Sequence, residues 1–240
     1  MLKYSSTLME LIMENKQEKE RKKININGII KKYYKNIIIL IVGISLMSLG
    51  GAILVVANEG SDALMVYNQG FAKILNIKIG ASIMISNILA FIAILFIDKK
   101  SVGLGTLAIA FILGPIVDFI LASNLIFVPS GIVGKILLIL LGFLIACLGT
   151  TLYINSGVGL SPFEGILIAI KNKKNWKFRY IKIVNDIIFF TIGYLLGGVF
   201  GIASICTVFL YGPLIDMYTY FLKKLKIIKD DKTKENNEIE

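Results

Sequence analysis

Between residues 37 and 222 long apolar runs follow one another with only short polar interruptions. Crossing a ~30 Å hydrocarbon core takes about 20 helical residues. Six runs meet that length and predict spanning helices at 37–57, 79–97, 103–123, 132–154, 180–196 and 201–222. Two further segments, 63–75 and 162–171, are too short to span and predict interfacial or re-entrant helices. The expected class is an all-α membrane protein. Residues 1–36 and 223–240 form charged tails, and the apolar body divides into 37–123 and 132–222.

That division rests on an internal repeat. The segment GPIVDFI from Gly114 returns as GPLIDMY from Gly212, 98 residues later. In each copy a proline, Pro115 or Pro213, lies inside an apolar run, where it removes a helical hydrogen bond and predicts a kink. The carbonyls so freed belong to Phe111 and Phe209. Asp118 follows Gly114 by four residues and Asp216 follows Gly212 by four, which places each pair on one helix face. Asn87 and Asn185, and Gly103 and Gly201, repeat at the same offset, while Gly60 and Gly159 repeat at 99. Each half holds three spans and one short helix. An odd number of spans makes the second half enter from the opposite side, giving an inverted 3+3 repeat. Secondary transporters commonly use this plan, with the substrate site between the halves.

Composition and charge fix the setting. The chain is 56% hydrophobic and 18% charged, with a mean hydropathy of +0.77. If the amino terminus is cytoplasmic, 23 of the 26 Lys and Arg residues fall on the cytoplasmic side, leaving Lys73, Lys78 and Lys135 outside. This is the bias expected of a plasma-membrane protein with both termini in the cytoplasm. The net charge of +10 then reflects topology and contact with anionic membrane lipids, and nucleic acid is not an expected partner. The first apolar run begins at Ile37, so no signal peptide is read. Leu2, Leu8, Leu11 and Ile12 suit either a short surface helix or a frayed cytosolic tail. Cys147 and Cys206 lie in apolar runs without metal-ligand company and read as small buried thiols.

Candidate chemistry is sparse. At 157–165, GVGLSPFEG, Ser161 suits a helix cap, Pro162 the first helical position and Glu164 the return bond of a capping box. With Gly159 these residues are a candidate helix-terminus site for an anion, against the alternative of a well-capped helix joining two spans. In the first half Asp62 or Ser61 could cap the matching short helix. Asp118, Asp186 and Asp216 lie in or beside spans, where each charge costs at least ~2.5 kcal/mol on insertion scales. They are candidate substrate or ion residues together with Asn87 and Asn185. Their structural readings are kinks, headgroup contacts and interhelical hydrogen bonds. Lys182 lies one turn before Asp186 and can pair with it. Gly114, Pro115, Gly212 and Pro213 are candidate gating kinks. The chain contains no histidine, no nucleophile–base pair is visible, and neither an enzyme nor a cofactor is expected.

The glycine turn with Pro162 and Glu164, YIKIVND with Lys182 and Asp186, GLGT at 103–106 and the two GPxxD segments together resemble the YczE/YyaS/YitT group of bacterial multi-pass membrane proteins. The resemblance covers roughly residues 50–222. It implies a fold and a bacterial cell-membrane location more than a substrate. This chain has Ala63 and Met65 where the group carries a Pro and an acidic residue. The function expected from these features is a small secondary transporter or exporter of a small solute or ion, in a body small enough for a homodimer. The alternative is a non-transporting accessory protein that holds a cytoplasmic partner through its tails. A polar cavity between the halves favours the first, and a dry interface the second.

Overall fold

The computed structural model describes residues 34–99 and 102–228. The segment around Leu2 to Ile12 and most of both charged tails lie outside the described residues. The chain divides into two units, Met1–Ile38 and Ile39–Glu240, and the packing described here belongs to the second.

Among the described residues the long elements are all helices: α1 (Tyr34–Ala57), α2 (Ala63–Leu75), α3 (Ile79–Ile97), α4 (Leu104–Ala122), α5 (Ile132–Asn155), α6 (Pro162–Lys174), α7 (Phe178–Leu195) and α8 (Ile202–Lys224). Five of them, α1, α3, α4, α5 and α8, are long and apolar enough to cross a membrane. The molecule is therefore membrane-embedded and multi-pass. The remaining predicted span, α7, is 18 residues long and carries Arg179, Lys182 and Asp186 in its first half. The short helices α2 and α6 have 13 residues each, about 20 Å at 1.5 Å per residue, too little to cross. Both stop at an Asn in the left-handed conformation, Asn76 and Asn175, each with φ 53°. Asn tolerates that region better than most residues. Pro115 and Pro213 lie inside α4 and α8 without ending them.

Small residues set the closest approaches, as expected where lipid offers helices no hydrophobic reward for meeting. α1 crosses α5 through two glycine pairs in antiparallel order. A Cβ on Gly43 would fall 2.9 Å from the Gly149 carbonyl oxygen, and one on Gly50 would fall 2.6 Å from that of Gly142. α3 lies along α4, where a Cβ on Gly80 would come 2.0 Å from the Gly114 oxygen. α2 packs on α7 and α6 on α3, so each short helix rests against a long helix from the other half of the sequence. The loops before the short helices cross over too. The Ala203 amide donates to the Glu59 carbonyl (3.0 Å), and the Gly105 amide donates to the Val158 carbonyl (3.0 Å).

The main core, with Leu40, Ile44, Ile83, Ile109, Leu113, Val117 and Tyr153, lies where these crossings meet. On the outer faces Phe96, Phe119 and Ile132 are 84%, 75% and 75% exposed. Apolar surface of that extent suits contact with lipid tails.

Candidate functional site

The amino-terminal ends of the two short helices meet at one cavity. Ser161 caps α6: its hydroxyl accepts from the Glu164 amide at 3.2 Å, and the Ser161 amide reaches the Glu164 carboxylate at 3.4 Å. Pro162 occupies the first helical position, where no intrahelical donor is needed. Tyr153, buried in α5, locks this box by donating its hydroxyl to Glu164 and accepting from the Ser161 amide. The positive end of α6 thus already holds a carboxylate. At α2 the same task falls to Asp62, whose Oδ1 accepts from the Met65 amide at 3.2 Å.

Between these ends lies a cavity of about 80 Å³. Its polar walls are Asp62, Asn68, Asn87 and Ser161, and its apolar walls include Met47, Met65, Ile83, Leu113 and Phe163. The space accommodates a few waters or one small solute. Asn68 and Asn87 are 4% and 5% exposed, and their hydrogen bonds differ. The Asn68 oxygen accepts from Ser82 (3.1 Å) and Ser86 (2.8 Å), and its amide donates to the Leu64 carbonyl. Asn87 donates to the Ile83 carbonyl at 2.9 Å, and its Oδ1 takes no bond from any described residue.

Asp62 precedes α2 and belongs to none of the crossing helices. It is partly buried and lines the cavity. Burial raises its carboxyl above the ordinary 3.8; the Met65 amide and Lys182 lower it in part, and Asp186 adds to the rise. Desolvation disfavours the ionised form, which is the physical cause.

Of the residues singled out from sequence, the cavity takes Asn87 and Ser161. Asp118 instead caps the start of α3 from the side: its oxygens accept from the Gly80 amide at 2.7 Å and the Ala81 amide at 3.1 Å. Asp186 is paired with Lys182, both oxygens at 2.8 Å, and the Asn185 amide donates to Asp186 at 3.4 Å. Asp216 is exposed, and Gly212 has open space around it. Gly159, with φ 137°, packs against Gly103 and Thr106 at the start of α4. Asp62 is the cavity-lining residue that sequence reasoning undervalued, because its only local signature was that of a helix cap. Its position 99 residues before Ser161 was the signal that could have raised it.

The family model described as "Family of unknown function (DUF6198)" matches residues 34–220. An uncharacterized protein of Haemophilus influenzae strain Rd is 27% identical over 206 residues, covering 83% of this chain and 90% of that protein. The uncharacterized protein YyaS of Bacillus subtilis strain 168 is 26% identical over 183 residues, covering 74% of this chain and 89% of its own length. The likeness to YyaS agrees with the resemblance carried by the sequence motifs. No solved structure matches.

Proposed function

The chain belongs to the DUF6198 family, a family of unknown function, and from that premise we propose that it is a small secondary transporter of a small solute. The observation that carries this reading is the cavity where the ends of α2 and α6 meet, lined by Asp62, Asn68, Asn87 and Ser161. A dry interface would have favoured the accessory reading. Paired short-helix termini at a repeat interface are a recurring plan for binding and alternating access.

On this reading α7 is a sixth span, the halves form an inverted 3+3 repeat, and both tails lie in the cytoplasm of a bacterial cell. Three features support the repeat. The Gly43–Gly149 and Gly50–Gly142 contacts run antiparallel and exchange under a shift of 99 residues. The two crossed backbone bonds, Ala203 to Glu59 and Gly105 to Val158, exchange under shifts of 98 and 99. Asn76 and Asn175 end the short helices 99 residues apart.

The test compares small solutes retained by cells with and without the protein, then measures flux of any differing solute into proteoliposomes. Transport predicts both a difference and protein-dependent flux. If neither is found, and the cellular role instead depends on the two charged tails, the accessory reading replaces it.

A further inference from the structure

We infer that the cavity takes a small protonated amine, with Asp62 as its counter-ion. The inference deepens the transport reading of the same cavity and rests on it. Asp62 is the one charged side chain among the described walls. Its Oδ1 serves the Met65 amide, its own backbone amide also reaches the carboxylate, and no side chain of the described residues donates to it. Across the cavity Asn87 has turned its amide nitrogen to the Ile83 carbonyl, which leaves its oxygen as a second vacant acceptor. Asn68 offers no such vacancy, because two serine hydroxyls occupy its oxygen. Asp62 and Asn87 thus keep acceptor capacity, while Asn68 and Asn87 each keep one further amide N–H; the Asp62 charge favours a cationic donor as the ligand.

Other ligand classes fit less well. An anion would meet two helix ends that already hold Asp62 and Glu164, and it would lie beside the Asp62 charge. A bare metal ion needs about six oxygens to replace its hydration shell, and the cavity supplies two vacant ones among mostly apolar walls. A short alkylammonium uses both kinds of surface. Its N–H groups reach the Asp62 and Asn87 oxygens, while its carbons lie against Met47, Met65 and the Phe163 ring, which also attracts a cation. The volume of about 80 Å³ limits the alkyl part to a few carbons.

The test uses the full-length protein in detergent, with ethylammonium, sodium and acetate as probes, and reads thermal shift and equilibrium binding of labelled ethylammonium. Ethylammonium stabilises the protein, while sodium and acetate at equal concentration do not. Asp62→Asn keeps a capping side chain but removes the charge, and weakens ethylammonium at least about tenfold, the loss expected for a charge-assisted contact. Asn87→Ala, which leaves the cap of α2 intact, weakens it several-fold. The inference is overturned if no probe amine binds the wild type, if sodium or acetate stabilises equally, or if both variants bind as the wild type does. Failure of the transport reading looks different: ethylammonium binds in an Asp62-dependent way, yet proteoliposomes neither accumulate nor exchange it. Flux of another solute that is indifferent to Asp62→Asn would sink the amine site and leave transport standing.

Discussion

Two aspartates that read alike in sequence hold unlike positions. Asp118 accepts two amides at the start of α3, and the Gly114 on its face admits the backbone of Gly80. Asp118→Ala should therefore leave two donors without their acceptor and cost about 2 kcal/mol, whereas Asp216→Ala, at an exposed site, should stay within about 0.5 kcal/mol. Melting of the purified protein checks both, and equal losses would refute the assignment. Gly80→Ala should be worse tolerated than Gly212→Ala, since the first Cβ meets backbone at 2.0 Å and the second meets nothing within 4 Å. Asp62 carries a prediction of another kind. Its carboxyl is raised above 3.8 by burial; Met65 and Lys182 oppose the rise and Asp186 adds to it. A raised folded-state value means that this group's contribution to stability is present in acid and fades as pH climbs through that value. Amine binding has the opposite sign, because only ionised Asp62 is a counter-ion. Ethylammonium affinity should level off above the raised value and fall by about tenfold per unit below it. A titration followed by binding measures this, and Asp62→Asn should flatten it.

The elements expose an imbalance between the halves. α3 and α4 share a long face, closed by Gly80, Gly114 and Asp118. Their repeat counterparts do not: among the described residues α7 packs on α2 and α6, α8 packs on α5, and no shared face of the α3–α4 kind joins α7 to α8. At an offset of 98, Phe178 and Arg179 occupy the places of Gly80 and Ala81, and Asp216 that of Asp118. If alternating access exchanges the conformations of the two halves, Asp216 should come to cap α7 as Asp118 caps α3. A Phe178→Cys/Gly212→Cys pair, with Cys147 and Cys206 replaced by Ala, should then form an intramolecular disulfide in membranes, which needs Cβ atoms within roughly 4.5 Å. An Ile94→Cys/Gly165→Cys pair, already in contact, serves as the positive control. A reacting control beside a silent test pair, or a dimer band from the test pair, would reject the exchange. Sequence carried much of this level. Apolar length located α1, α3, α4, α5 and α8, and the cap chemistry of Ser161, Pro162 and Glu164 located the start of α6. The partner of Asp118 was not legible, because it depends on α3 lying beside α4. The value of Asp62 was hidden likewise, since a helix cap becomes a cavity wall only when the crossing of the halves brings two helix ends together.

At the scale of the molecule the number of bilayer crossings turns on α7. Its 18 residues reach about 27 Å at 1.5 Å per residue, close to the ~30 Å hydrocarbon thickness. Arg179, Lys182 and Asp186 set it apart from the five apolar helices. The bonds of Lys182 to Asp186, both 2.8 Å, cancel one charge of each sign within a single turn, and Arg179 lies in the first turn, where a long side chain can reach the headgroups. The six basic residues between 171 and 182 would hold that end on the cytoplasmic side. Crossing by α7 therefore predicts a definite labelling pattern. With both native cysteines replaced, single cysteines at the exposed positions Ser130, Asn175 and Phe200 are treated with a membrane-impermeant thiol reagent. Ser130→Cys and Phe200→Cys should react in intact cells, and Asn175→Cys only after permeabilisation. If Phe200→Cys behaves like Asn175→Cys, α7 lies on one side of the membrane and the inverted repeat fails, because its second half would then make two crossings, by α5 and α8, against three in the first. If instead Asn175→Cys alone reacts in intact cells, six crossings stand with both termini outside, and the basic segments would have to be held there by something other than the charge bias that placed them.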